Sequence, residues 1–162
     1  MNHSDRQEKF YFIFSALLLI IFATTLGVSA FAVGIQVPAP EQVVDPRTVA
    51  TPGVSPFGDP VEERLRELGP GKYEVYILAQ TWAYTPNEVR VPIGSTVTFY
   101  VTSKDVQHGF YLNGTNINMM ILPGQVSKLT ATFDKAGTYN FLCNEYCGVG
   151  HQSMYGRLIV EP

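Results

Sequence analysis

The stretch that decides the fold and chemistry of this chain is CNEYCGVGHQSM, residues 143–154. It holds both cysteines of the 162-residue chain, Cys143 and Cys147, together with His151 and Met154. Thiolate, imidazole and thioether groups are soft ligands, and this combination selects copper. The spacing of Cys147, His151 and Met154 is typical of a loop that binds a single copper ion, so the stretch predicts a copper site.

Three other interpretations explain less of this stretch. A disulfide between Cys143 and Cys147 is compatible with an oxidising compartment, but it accounts for neither the histidine nor the methionine. Zinc binds cysteine and histidine, but thioether is not its ligand, and no fourth nitrogen or sulfur ligand lies nearby in the sequence. The third interpretation is two core thiols beside an incidental histidine and methionine.

A copper site of this kind needs a second histidine from another strand. His108 stands 35 residues before Cys143 and is the upstream candidate. An isolated histidine is more often structural, but the downstream Cys/His/Met loop favours a ligand here. One copper ion leaves Cys143 without a role, whereas two thiolates four residues apart allow both sulfurs to bridge two ions. Sharing an electron between two metals keeps the structural change small, which favours fast electron transfer.

His108 followed by C-x-E-x-C-x-x-x-H-x-x-M resembles the binuclear CuA site of cytochrome c oxidase subunit II. The segment DVQHGF at 105–110 also resembles the family's segment around its first histidine. The motif is highly specific. The resemblance covers most of the chain, which is predicted below to consist of an N-terminal membrane anchor, a tether and a cupredoxin-like domain. It implies this ligand set for two copper ions: Cys143 and Cys147 as bridges, His151 and the carbonyl of Glu145 on one ion, and His108 and Met154 on the other.

The resemblance also implies a function and partners. A subunit II accepts electrons one at a time from cytochrome c outside the membrane and passes them to haem in subunit I. Oxygen reduction and proton pumping belong to subunit I. The expected partners are therefore subunit I, cytochrome c, membrane lipid and a small accessory subunit. Nucleic acid is not expected, because the net charge is −3 and a nucleic-acid-binding domain is basic.

Some residues depart from the common form of the family. The sequence predicts one membrane helix, whereas the long form of subunit II has two. In this respect it resembles the subunit II of B-type, ba3-like oxidases. Those carry Gln between the cysteines, whereas Glu145 follows the long form, in which its side chain helps to hold Mg²⁺ at the subunit I interface. Gln80 stands where the family's aromatic stretch usually has a tryptophan. Trp82 and Tyr84 are therefore the candidates for electron uptake, with simple core packing as the alternative.

The N-terminal part predicts a membrane anchor. Phe10–Pro40 contains no charged residue, and the apolar run over residues 10–35 would span about 39 Å as a helix, enough to cross the bilayer. A cleaved signal peptide is the alternative, but its apolar region is shorter. Arg6 and Lys9 precede the run, which favours a cytoplasmic tail over residues 1–9 and an exported C-terminal part.

Glu8 lies just before this apolar run and is followed by Lys9. In ba3-like relatives a glutamate at the matching position lies at the entrance of the proton-uptake path into subunit I. The resemblance therefore implies a role in proton uptake for Glu8. The alternative is a solvated charge at the end of the anchor.

The exported part divides into two segments by composition. Residues 36–71 hold seven of the eleven prolines and six acidic residues, and are predicted to be a tether with a short helix that starts near Asp59 and stops at Gly69. Residues 72–162 predict a mainly β, cupredoxin-like Greek-key barrel. Its predicted strands are Tyr73–Ala79, Val89–Val91, Thr96–Thr102, Val126–Phe133, Thr138–Cys143 and Gly156–Val160.

Other functions remain as alternatives to a subunit II. Nitrous oxide reductase shares the C-x-x-x-C-x-x-x-H-x-x-M pattern, but it needs a large histidine-rich propeller. A membrane-anchored copper chaperone of the Sco type has a C-x-x-x-C pair in a thioredoxin-like α/β fold, near the start of the domain. A free-standing anchored electron carrier is a further alternative. A quinol oxidase subunit is disfavoured, because that branch has lost these copper ligands.

Overall fold

The computed structural model describes residues 3–32 and 40–162 of the chain. The chain divides into two compact units, the first within residues 1–36 and the second over residues 37–162.

The first unit is one long helix, α1, which spans His3–Phe31. Its segment Asp5–Phe31 reaches a mean hydropathy of 2.3 and is long and apolar enough to cross a membrane. The helix begins inside the predicted tail, because no glycine or proline interrupts it there and Asp5 in the first turn suits the positive end of the helix dipole. The predicted end of the anchor at residue 35 lies outside the described residues.

The second unit is built from strands and two short 3₁₀ turns. The strands are β1 (Pro40–Val43), β2 (Leu65–Gly69), β3 (Lys72–Gln80), β4 (Ala83–Thr85), β5 (Glu88–Pro92), β6 (Ser95–Ser103), β7 (His108–Leu112), β8 (Asn118–Ile121), β9 (Gln125–Phe133), β10 (Gly137–Leu142) and β11 (Tyr155–Glu161). The 3₁₀ turns are Val61–Glu63 and His151–Ser153. With no α-helix in residues 40–162, the thioredoxin-like α/β fold of the copper-chaperone alternative is excluded.

The strands form two sheets. One has the order β1-β9-β6-β3-β2, with β4 added to β3, and the other has the order β5-β11-β10-β7-β8. β3 and β6 are parallel neighbours in the first sheet, and β5 and β11 are parallel neighbours in the second. The predicted mainly β, cupredoxin-like Greek-key fold is confirmed, with one correction. The two sheets pack as a sandwich and do not close into a barrel.

All six strands predicted from the sequence are present, with ends that differ by one residue or so. They are confirmed because each carries enough Val, Thr, Tyr or Phe to bury one face on the core. β1, β2, β4, β7 and β8 were not predicted. These strands are short, three to five residues each, and their sequences carry no clear alternation.

The core between the sheets is rich in aromatic rings, and two of these rings are close in sequence to His108 and Cys143. Phe110 and Phe141 stack with their ring centroids 4.9 Å apart, and Phe99 lies 5.7 Å from Phe110. His108 and Cys143 each stand two residues from one of the stacked rings, so they face the same side of their sheet. His108 and Cys143 are therefore buried on the face of the sheet that carries the stacked phenylalanines.

The predicted tether at 36–71 is wrong for its described part, residues 40–71. β1 pairs with β9, and β2 pairs with β3, so both ends of this segment are built into the first sheet. Between them, Val49 and Phe57 are buried on the outer face of that sheet against Leu78 and Tyr76. The many prolines restrict the backbone without preventing burial, which is why composition alone suggested a linker.

The short helix predicted near Asp59 is reduced to the 3₁₀ turn Val61–Glu63, which β2 follows. Asp59 does not cap it with its side chain. Instead, the Asp59 carboxylate accepts a hydrogen bond from Arg66 at 2.9 Å, and its backbone carbonyl accepts one from the buried Arg64 at 2.8 Å. Leu65–Gly69 instead pairs with β3 as an edge strand, so hydrogen bonds to β3 replace those that a longer helix would have made.

Candidate metal centre

The site lies at one end of the second sheet, where three strands bring distant parts of the chain together. His108 is the first residue of β7, Cys143 directly follows β10, and Met154 directly precedes β11. β10 has β7 on one side and β11 on the other, so these positions become neighbours. A hydrogen bond from the Cys143 N–H to the Met154 carbonyl, 3.1 Å long, closes the base of the loop between β10 and β11.

The structure brings the sulfur and imidazole groups of this loop and of β7 into contact. Cys143 Sγ and Cys147 Sγ are 3.6 Å apart and are not bonded to each other. His108 Nδ1 lies 4.0 Å from Cys143 Sγ, and His151 Nδ1 lies 3.6 Å from Cys147 Sγ. Met154 Sδ is 3.8 Å from Cys147 Sγ.

Burial and mutual proximity distinguish this group from a chance cluster. The ligand atoms of His108, Cys143 and Cys147 lie within 4.8 Å of one another, and all three residues are buried. Among the described residues, no other set of three or more histidines, cysteines or carboxylates is close enough to hold a metal ion. The arrangement therefore could hold a metal ion, and its donor atoms are soft.

The backbone carbonyl and the side chain of Glu145 make contacts with different residues. Its carbonyl oxygen lies 3.2 Å from Cys143 Sγ, within the cluster. Its carboxylate instead accepts a hydrogen bond from the Gln107 side chain, 3.3 Å long. A Mg²⁺ ion bound by this carboxylate would need further oxygen ligands, because Mg²⁺ prefers octahedral coordination.

Asp105 orients the histidine. Its Oδ1 lies 2.9 Å from His108 Nε2, which leaves Nδ1 directed at the sulfurs. Asp105 also accepts hydrogen bonds from the N–H of Val106 and from the N–H and hydroxyl of Thr81, at 2.7–2.9 Å. Burial opposes the charge on this carboxylate, but the hydrogen bonds from His108, Thr81 and Val106 outweigh it and lower the pKa of Asp105 to about 2.

Burial also affects the protonation of the Cys147 thiol. Desolvation, followed by the hydrogen bond and charge of Cys143, raises the pKa of Cys147 to about 12. The thiol of the metal-free chain is therefore protonated at neutral pH. A metal ion that binds here must displace that proton.

Trp82 lies against the loop that carries the cysteines. Its Nε1–H donates to the Cys147 carbonyl at 3.1 Å, and its side chain is 43% exposed. A Cβ on Gly150 would come within 2.5 Å of the indole ring, and one on Gly148 within 3.1 Å of its Nε1. The glycines of the loop are therefore required by the indole that packs on them.

Tyr84, the other candidate for electron uptake, is buried, whereas Glu8, the candidate for proton uptake, is exposed. Tyr84 is only 2% exposed, and its hydroxyl donates to the Gly109 carbonyl. Its ring therefore does not reach the surface of the described chain, and its role in electron uptake stays a prediction. Glu8 lies in α1 and is exposed.

Sequence reasoning missed two contributors to the site. Asp105 and Gly109 both stand in the DVQHGF segment, but their roles depend on contacts across strands. The spacing of Asp105 three residues before His108 was the available signal, because metal-bound histidines commonly donate their second ring nitrogen to a carboxylate.

Comparison with known proteins identifies the family. A sequence profile described as cytochrome c oxidase subunit II, periplasmic domain, matches residues 75–161, more than half of the chain. Cytochrome c oxidase subunit 2 of Thermus thermophilus is 40% identical over 156 residues, which cover 95% of this chain and 91% of that protein. The chain belongs to the cytochrome c oxidase subunit II family.

Two further comparisons bear on the alternatives. The nitrous-oxide reductase of Pseudomonas fluorescens is 37% identical over 94 residues, but these are only 15% of its length. A chain in the cryo-EM structure of a heme-copper terminal oxidase dimer superposes with a TM-score of 0.76 and 36% identity, over 96% of this chain and 99% of that one. This subunit II therefore has a copper-binding, cupredoxin-like domain and is part of a haem-copper terminal oxidase, which implies a catalytic subunit I as partner.

Proposed function

We propose that this subunit II binds two copper ions bridged by the sulfurs of Cys143 and Cys147. The observation that carries the proposal is their 3.6 Å separation at a point where two imidazole nitrogens and a thioether also converge. The donors are soft, as copper prefers. The proposed ligands are Cys143 and Cys147 on both ions, His151 and the Glu145 carbonyl on one, and His108 and Met154 on the other.

The chain's own residues prepare this site before any metal binds. Asp105 holds His108 with Nδ1 toward the sulfurs, and the hydrogen bond between Cys143 and Met154 fixes the ends of the loop. Trp82 packs on the loop glycines Gly148 and Gly150. Two copper ions held by these thiolates would supply one-electron chemistry with little structural change. Rigid protein ligands serve that chemistry, because they limit reorganisation.

We infer that electrons come from cytochrome c on the outer side of the membrane and pass to haem in subunit I. The apolar helix α1, with Arg6 and Lys9 near its start, supports an anchored subunit with a cytoplasmic N-terminus and an exported domain. The similarity to a subunit 2 over 95% of the chain supports the oxidase assignment over that of a free-standing carrier.

Electron uptake is proposed to occur near Trp82. Its indole is half-exposed and hydrogen-bonded to the carbonyl of a bridging cysteine, so it joins the surface to the cluster through one short path. Tyr146 and Val149, in the same loop, are 78% and 81% exposed. Exposed apolar side chains around a buried metal cluster suit brief contacts with an electron donor.

Two finer assignments rest on the resemblance. Glu8 is proposed to collect protons at the cytoplasmic end of the anchor, in a ba3-type arrangement that contributes to proton translocation by the complex. Glu145 is proposed to offer its carboxylate to Mg²⁺ at the interface with subunit I. The hydrogen bond from the Gln107 side chain to this carboxylate would have to break for the ion to bind.

The copper proposal is tested by metal analysis and EPR of the full-length chain in detergent. The wild type is expected to bind two copper ions with a mixed-valence signal that both ions share. Cys143→Ser and Cys147→Ser should each abolish that signal, because each removes one bridge. Met154→Leu should perturb it, and Met120→Leu, a half-exposed methionine on β8, is the matched control that should not. A shared two-copper signal in either serine variant would refute the ligand assignment.

Co-purification tests the oxidase assignment separately. The chain tagged at its C-terminus is expected to bring a haem-containing subunit with it from membranes solubilised in mild detergent. A copper-loaded chain that purifies without haem under conditions that keep other membrane complexes intact would favour a free-standing carrier.

A further inference from the structure

The ladder between β7 and β10 ends in an unusual way. The two strands pair at Tyr111 and Leu142, and β10 goes no further. Residues two apart on a strand direct their backbone groups to the same side, so Gly109, like Tyr111, points its N–H and C=O toward β10. There the Gly109 N–H donates to Cys143 Sγ at 3.4 Å, and its carbonyl accepts the Tyr84 hydroxyl. Two side chains thus replace the missing backbone partner.

Tyr84 is held firmly in this position. It is buried, and its ring meets Phe110 and Phe141 edge-on at centroid distances of 5.8 and 5.2 Å. A hydroxyl among phenylalanine rings needs a partner, and the Gly109 carbonyl is that partner.

Gly109 itself is in direct contact with the loop that carries the cysteines. A Cβ at this position would overlap the Asn144 side chain and would come within 2.8 Å of the Glu145 nitrogen. The backbone of β7 therefore touches the loop without any intervening side chain. A small displacement of Gly109 would directly change the distance between its N–H and the Cys143 sulfur.

Hydrogen bonds to a cysteine sulfur tune a copper centre. They withdraw electron density from the thiolate and so favour the reduced metal, which raises the reduction potential. We propose that Tyr84 is a positioning residue for this centre: by holding the Gly109 carbonyl, it keeps the Gly109 N–H on the bridging sulfur of Cys143. This inference rests on the proposed two-copper function.

The test compares Tyr84→Phe with wild type in the full-length, copper-loaded chain. The reduction potential is expected to fall, with the equilibrium constant for reduction lowered by about tenfold, which is about 59 mV for one electron. The sulfur-to-copper absorption band should shift as well. Tyr139→Phe is the matched control, because it also removes a hydroxyl that donates to a backbone carbonyl, that of Lys135, away from the site. It should leave both readouts unchanged.

Replacement of Tyr84 by 4-aminophenylalanine keeps the ring and restores an N–H donor, so it should recover most of the wild-type potential. An unchanged potential and absorption band in Tyr84→Phe would overturn the proposal, even if the melting temperature fell. Amide hydrogen exchange of the wild type gives an independent test that needs no variant, since rapid exchange of the Gly109 N–H would also overturn it. A wild type that binds no copper would refute the proposed function instead.

Discussion

Replacing Asp105 by asparagine should damage the site without changing its shape. One carboxylate oxygen accepts hydrogen bonds from His108 and Val106, and the other accepts the N–H and hydroxyl of Thr81. An asparagine has a single acceptor oxygen, so in either orientation its NH₂ group faces a backbone N–H that it cannot accept from, that of Val106 or that of Thr81. At least one hydrogen bond is therefore lost.

The size of the effect follows from the pKa of this carboxyl group. Its fall from 3.8 to about 2 corresponds to about 2 kcal/mol of stabilisation of the charged form. Its side chain is 30% exposed, and solvent screening reduces this to about 1 kcal/mol. For a domain of this size, we expect Asp105→Asn to lower the melting temperature of the metal-free chain by about 4 °C at pH 7.

The effect should depend on pH in one direction. The folded-state pKa is depressed, so the stabilisation is present above the unfolded value near 3.8 and is lost as the pH falls toward 2. The difference in melting temperature between wild type and Asp105→Asn should therefore shrink below about pH 4. Asp134→Asn, a change at an exposed aspartate after β9, is the control and should show little difference at any pH.

The same substitution should weaken copper binding. An NH₂ group beside His108 Nε2 favours the tautomer that places a proton on Nδ1, where the metal must bind. Loss of such a partner typically costs 10–100-fold in metal affinity, and we expect a loss of about tenfold in a competition titration. Wild-type copper affinity together with an unchanged melting temperature in Asp105→Asn would refute this reasoning.

Three further predictions concern copper loading, docking and proton uptake. Burial and Cys143 raise the pKa of Cys147 to about 12, so copper must displace a thiol proton when it binds. The apparent copper affinity should therefore rise about tenfold per pH unit for each thiol proton displaced. Copper binding that does not depend on pH between about pH 6 and 8 would contradict this. Because residues 72–162 carry no net charge, the rate of reduction by cytochrome c should fall less than about threefold between low and physiological salt, and a steep fall in stopped-flow experiments would indicate a local charged patch. Glu8→Gln should reduce oxygen consumption several-fold while copper reduction stays normal, whereas Asp5→Asn on the same helix should not, and unchanged turnover in Glu8→Gln would leave it a surface charge.

The chemistry was predictable from the sequence because the loop between β10 and β11 carries four of the side chains at fixed spacing. Once Cys143 and Met154 stand at the two strand ends, the loop can only fold back on itself, so its sulfur and nitrogen atoms converge. The six strands predicted from Val-, Thr- and Tyr-rich runs were confirmed for a related reason. Successive side chains of a strand point alternately to the core and to solvent, and this leaves a local pattern in the sequence.

The arrangement around the copper ligands was decided by the tertiary structure. Asp105, Tyr84 and Gly109 act through contacts between strands that are far apart in sequence, and no local pattern encodes such contacts. The segment 40–71 shows the same limit. Its prolines and acidic residues predict a tether, yet Val49 and Phe57 are buried on a sheet whose strands begin at Lys72. Local composition specifies which residues prefer burial, but which surface they cover depends on strand order, and strand order is a property of the whole domain.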